Sequence, residues 1–91
     1  MIYVDDLIYP DKKGKLWCHM WSDGDEAELD KFATELGLKK DWSHTSNGLT
    51  GRFYHYDLVK SMRVKAIKKG AVYMSLRDWV KDKLANKISK D

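Results

Sequence analysis

At 91 residues the chain is long enough for one domain, or for one subunit of an assembly. Its 43% hydrophobic content, with four Trp and five Tyr, excludes global disorder. A net charge of +3 lacks the imbalance of a dedicated nucleic-acid binder, so nucleic acid is not favoured as a partner.

Ile2-Tyr3-Val4-Asp5 reads as a short first strand because β-branched and aromatic residues cluster there. Tyr9-Pro10-Asp11-Lys12-Lys13-Gly14 is a turn. Leu16 to Trp21 follows as a strand with Leu16, Cys18 and Met20 on one face and Trp17, His19 and Trp21 on the other. Both faces are rather apolar, as for a strand covered on both sides. Cys18 is expected in the core, and a single cysteine excludes an intrachain disulfide. Asp23, with Glu26 three residues on, predicts a helix start. Leu29, Phe32, Ala33 and Leu36 form its buried stripe, and Gly37 stops it.

Residues 43–48 are polar and predict a loop into a short strand around Arg52 to Tyr56. Asp57 is placed to cap a second helix running to about Lys69, with Gly70 as its stop. Ala71 to Met74 reads as a strand, and Ser75 with Asp78 opens a third helix. Residues 85–91 read as a frayed basic tail. The order predicts a small single-domain α/β layered fold with a short, mostly parallel sheet and about three helices. No run approaches the ~20 apolar residues of a membrane span. Two aspartates stand where a signal peptide would carry basic residues, so a cytoplasmic setting is expected.

In open α/β sheets, ligands bind beyond the carboxyl ends of the strands. Parallel strands would therefore gather Asp5, Asp6, His19, Asp23, His55 and Asp57 at one edge, with Arg52 and Arg63 close to the His55-Tyr56-Asp57 corner. Carboxylates and imidazoles together suit a divalent metal site or acid–base chemistry. Without metal, the carboxylates suit ribose hydroxyls, and the arginines suit phosphate. Trp42 or Tyr54 could stack on a base. Structural readings compete: Asp23 and Asp57 as helix caps, His19 as a core histidine, His44 as an exposed loop residue, and Trp17 and Trp21 as core. Paired acids after an apolar strand resist that treatment, because burying them is unfavourable unless they are solvated, paired or bound. No phosphate-cradling Gly loop, zinc-type cysteine cluster or nucleophile elbow is present.

Several pieces carry a family resemblance: Tyr3-Val4-Asp5-Asp6, Trp17-Cys18-His19-Met20 with Ser22-Asp23, and Glu28-Leu29 with Phe32-Ala33 and Leu36-Gly37-Leu38. His55-Tyr56-Asp57-Leu58, Arg63, Ala66-Ile67 and Gly70-Ala71-Val72 continue it. In order and spacing the chain resembles a family of small bacterial and phage proteins known as domain of unknown function 4031. The resemblance implies a stand-alone α/β domain of phage or bacterial origin and no established activity.

The expected function is binding of a phosphate-bearing, nucleotide-like small molecule through Asp5, Asp6, His19, Asp23, Arg52, His55, Asp57 and Arg63. In a phage setting such a protein could sequester a host signal. The alternative is a metal-dependent phosphohydrolase or nuclease, with Asp5, Asp6 and His55 on a divalent ion. A further alternative is an inhibitor that blocks a host protein. Small size and aromatic load make a homo-oligomer an open expectation.

Overall fold

The computed structural model describes residues 1–48 and 51–88. Its strands are β1 (Ile2–Val4), β2 (Tyr9–Pro10), β3 (Leu16–Ser22), β4 (Ser43–Gly48), β5 (Gly51–Val59) and β6 (Val72–Tyr73). The helices are α1 (Glu26–Leu36), α2 (Lys60–Lys69) and α3 (Leu76–Ile88), with a 3₁₀ turn at Lys40–Trp42. One sheet runs in the order β4-β5-β3-β1-β6, and β2 continues beside β1 on the same edge of β3. The α/β class is as the pattern predicts, but the sheet is mixed: among the described residues only β1 and β6 pair in parallel. β4 and β5 form a hairpin, which returns the chain antiparallel, while β3 reaches β5 through α1, the 3₁₀ turn and β4.

Alternation along the strands sorts side chains between two faces. Ile2, Val4, Cys18, Met20, Tyr56 and Leu58 lie on one face, packed against Leu29 and Ala33 of α1 and Ala66 of α2. Beneath that face, Asp30 of α1 accepts hydrogen bonds from Tyr54 (2.6 Å) and Tyr56 (2.7 Å). Cys18 is fully buried there, and burial pushes its thiol up to about 12. The thiolate is the reactive form, so Cys18 should resist a disulfide reagent at pH 8 until denaturant is added. Rapid labelling of the native protein would contradict this packing.

The opposite face carries Trp17, His19 and Trp21 of β3 and Phe53, His55 and Asp57 of β5. Trp21 packs at 5.6 Å from Trp79 of α3 and at 5.6 Å from Phe53, so α3 covers one end of this face. The other end is left to the polar residues.

Two caps differ from expectation. Asp25, not Asp23, caps α1, accepting the Glu28 N–H at 2.8 Å. Gly37 at φ 94° closes that helix in the left-handed conformation that glycine tolerates. Asp57 caps nothing. It lies inside β5, which runs two residues further, and α2 starts without a side-chain cap. The polar segment read as a loop is the edge strand β4, paired along β5 from Ser43↔Tyr56 to Gly48↔Gly51. At the far end, α3 continues to Ile88 through part of the expected basic tail, and residues 89–91 lie outside the described ones. Among the described residues no helix is long and apolar enough to cross a membrane.

Candidate metal centre

Cross-strand register assembles the polar cluster. His19 of β3 stands opposite Asp57 of β5, and His44 of β4 stands opposite His55 of β5. Directly opposed residues share a face, as do residues two apart on one strand. His19, His44, His55 and Asp57 therefore meet on one side of the sheet.

Asp5 follows β1 and is fully buried. Its Oδ1 accepts the His19 backbone N–H at 2.5 Å, and its Oδ2 lies 2.7 Å from His19 Nδ1. The main chain reinforces the grip: the Asp5 N–H donates to the His19 carbonyl at 3.2 Å, and Arg63 Nε donates to the Asp5 carbonyl at 2.9 Å. An ionised carboxylate only accepts, so the neutral His19 ring would hold its proton on Nδ1 and leave the lone pair of Nε2 for an ion.

His55 reaches the same state by another route. Its Nδ1 lies 3.1 Å from the Phe53 carbonyl, which can only accept, so Nε2 is again free. Phe53 stacks on the ring at 4.7 Å, and the His19 ring meets it edge-on at 5.1 Å. Burial, opposed by the Phe53 carbonyl, holds the His55 imidazole below its ordinary value and so favours the neutral form that binds metals. Asp57 Oδ1 lies 3.6 Å from His55 Nε2, and Oδ2 lies 3.5 Å from His44 Nε2.

Ligand atoms of His19, His55 and Asp57 all lie within 4.8 Å of one another. Metal–ligand bonds of about 2.0–2.2 Å require a modest further contraction of these side chains. Two imidazoles with fixed tautomers, one carboxylate and a buried carboxylate behind the first imidazole match the way divalent metals are held. Three protein ligands leave coordination positions open for water or substrate.

A cleft of about 660 Å³ opens beside the cluster, walled by Tyr9, Trp17 and Trp42 and reaching His19, His44 and Asp57. Tyr9 lies 4.4 Å from the His19 ring. Among the described residues, no lysine or arginine lines this cleft.

The remaining expected site residues lie elsewhere. Asp6 accepts the Tyr73 hydroxyl on both oxygens (2.9 and 3.1 Å), turned toward β6. Asp23 sits at the opposite end of β1, accepting from the Met1 amine at 2.9 Å and the Tyr3 hydroxyl at 3.1 Å. Arg52 makes a bidentate pair with Glu26 (2.7 and 2.9 Å). Arg63 supports Asp5 and lies over the Tyr73 ring at 5.9 Å. Tyr54 faces α1 and not the cleft. His44, read from sequence as an exposed loop residue, is exposed but lines the cleft. Asn47-Gly48 is a hairpin signal, but pairing back from it would set His44 opposite Gly51; the observed register, with Gly48 opposite Gly51, is what brings His44 to His55.

No curated protein and no solved structure matches the chain. The sequence model of the family described as "protein of unknown function (DUF4031)" matches residues 2–86, so the chain belongs to that family.

Proposed function

We propose that the domain is a divalent-metal-dependent phosphoesterase with a nucleotide-like substrate. The reading rests on one observation: His19, His55 and Asp57 converge within 4.8 Å, with both imidazoles held in the metal-ready tautomer. Under the metal-dependent alternative, the sequence expectation put Asp5, Asp6 and His55 on the metal. Asp5 has both oxygens engaged with His19 and Asp6 binds Tyr73, so the ligand role falls to His19, His55 and Asp57.

The chemistry follows from charge. An anionic cleft repels phosphate unless a cation stands between them, and with no lysine or arginine among its described lining residues the ion would supply that charge. Water on an open coordination position would have its pKa lowered and attack phosphorus. Attack would break the P–O bond to the leaving oxygen, which would take up a proton to balance the one released by the water. Tyr9, Trp17 and Trp42 offer faces for a base. A reducing cytoplasm would suit the lone buried thiol.

Metal-stripped protein should take up one equivalent of Zn²⁺, Mn²⁺ or Co²⁺ in a calorimetric titration. The loaded protein should hydrolyse bis(p-nitrophenyl) phosphate, and EDTA should stop the reaction. Absence of stoichiometric uptake, or turnover indifferent to EDTA, would refute the proposal. A nucleotide that binds tightly in EDTA and is never cleaved would favour sequestration without chemistry.

A further inference from the structure

The charge that looks modest in the composition is concentrated in space. Lys15, Lys60 and Lys65 line a second groove, of about 640 Å³, with Ser61, Val59 and Val64, and among the described residues no acidic side chain lines it. Among the described residues, none of the three has an ion-pair partner. The lysine and arginine pairs among the described residues are Lys40–Asp30, Arg52–Glu26 and Lys69–Glu35. Lys60 also opens α2, whose first turn holds no acidic residue, so the helix dipole adds to the positive potential there.

This groove and the aromatic cleft share Val59. The two surfaces differ in kind: three lysines line one, and aromatics line the other, where Lys39 lies 5.8 Å over the Trp42 ring. A free mononucleotide could place its base and its phosphate in the cleft, but it would leave the lysines unused. A chain of nucleotides uses both. Its backbone phosphates would lie along Lys15, Lys60 and Lys65, and successive bases would stack against Trp17 and Trp42. A duplex hides its base faces, whereas a single strand presents them.

Building on the metal-centre reading, we infer that the substrate is a single-stranded nucleic acid, held by the Lys15/Lys60/Lys65 groove and threaded past Val59 to the His19/His55/Asp57 centre. The small net charge argues against this only if charge is counted and not mapped.

The test uses the full chain and a fluorescein-labelled oligothymidylate of about 15 nucleotides, followed by fluorescence polarisation in EDTA. Binding is read without metal, so a failure of the metal centre cannot imitate a failure of the groove. The Lys15→Glu/Lys60→Glu/Lys65→Glu variant should bind on the order of tenfold more weakly or worse, and its log K against log salt slope should flatten by about 2. A charge-matched control, Lys31→Glu/Arg77→Glu/Lys81→Glu, should lose much less. Thermal melts establish that both variants fold. If the groove triple does not fold, Lys60→Gln and Lys65→Gln singly provide the comparison, each lowering affinity and slope. Equal losses in groove and control variants, unchanged binding by the groove variant, or no binding by the parent protein would overturn the inference. If that happens while Zn²⁺ uptake and diester hydrolysis persist, only the substrate assignment falls. If uptake fails and groove-specific binding persists, it is the metal centre that falls.

Discussion

Asp5→Asn should lower metal affinity by about 10–100-fold, the usual consequence of losing a carboxylate behind a ligating histidine. Asp5 grips both the main-chain N–H and the ring of His19, and it does so fully buried. Asparagine has the same shape but only one accepting oxygen, with an amide group that donates. If that oxygen keeps the His19 N–H, the NH₂ group faces Nδ1, which must then become an acceptor. The proton moves to Nε2, the nitrogen the ion needs. Folding should be weakened by about 1–3 kcal/mol, the range for a disturbed buried hydrogen bond. Asp5→Ala should cost more, since it leaves the His19 N–H unpaired and opens a void. Metal titration and urea melts of both variants measure the two effects separately. An Asn variant that binds Zn²⁺ as tightly as the parent protein would show that tautomer control by Asp5 is not what prepares the site.

The parts of the fold that were legible in the sequence are those whose hydrophobic pattern is set by burial. β1, β3 and α1 announce themselves because Val4, Cys18, Met20, Leu29 and Ala33 must all meet one core. β4 was not legible because it is an edge strand of exposed polar residues, so no alternation survives to mark it. Asp57 misled for a related reason. It follows an aromatic run and precedes Leu58, as a cap would, yet Leu58 points to the core and Asp57 to the cleft, which is strand alternation. Helix period and strand period cannot be told apart over so few residues.

The candidate site was legible as residue types and misread as geometry. Asp5, His19, His55 and Asp57 do gather, but by antiparallel register across β3 and β5, not at the ends of parallel strands. The same antiparallel pairing of β1 with β3 carries Asp23 to the opposite end, beside the Met1 amine. The arginines were beyond reach from sequence. Long side chains settle on whichever acceptor the fold brings within range, here Glu26 for Arg52 and the Asp5 carbonyl for Arg63.

Those two readings of an aspartate, cap or ligand, can be separated by a crossed pair of variants. Asp57→Ala should abolish stoichiometric metal uptake and turnover, because a methyl group offers the ion no oxygen. Its effect on folding should stay within about 0.5 kcal/mol, as for a surface substitution that breaks no cap or core packing. The carboxylate is part-exposed, and two imidazole nitrogens lie 3.5 and 3.6 Å from it. Asp25→Ala should do the reverse. It removes the acceptor of the Glu28 N–H at 2.8 Å and should destabilise the protein by about 0.5–2 kcal/mol. Metal uptake should be unchanged, since α1 lies against the other face of the sheet from the metal centre. Calorimetric titration and denaturant melts on both proteins complete the square. If Asp57→Ala instead loses stability on the scale of a cap and still binds Zn²⁺, then Asp57 is no ligand and the three-residue centre is wrong.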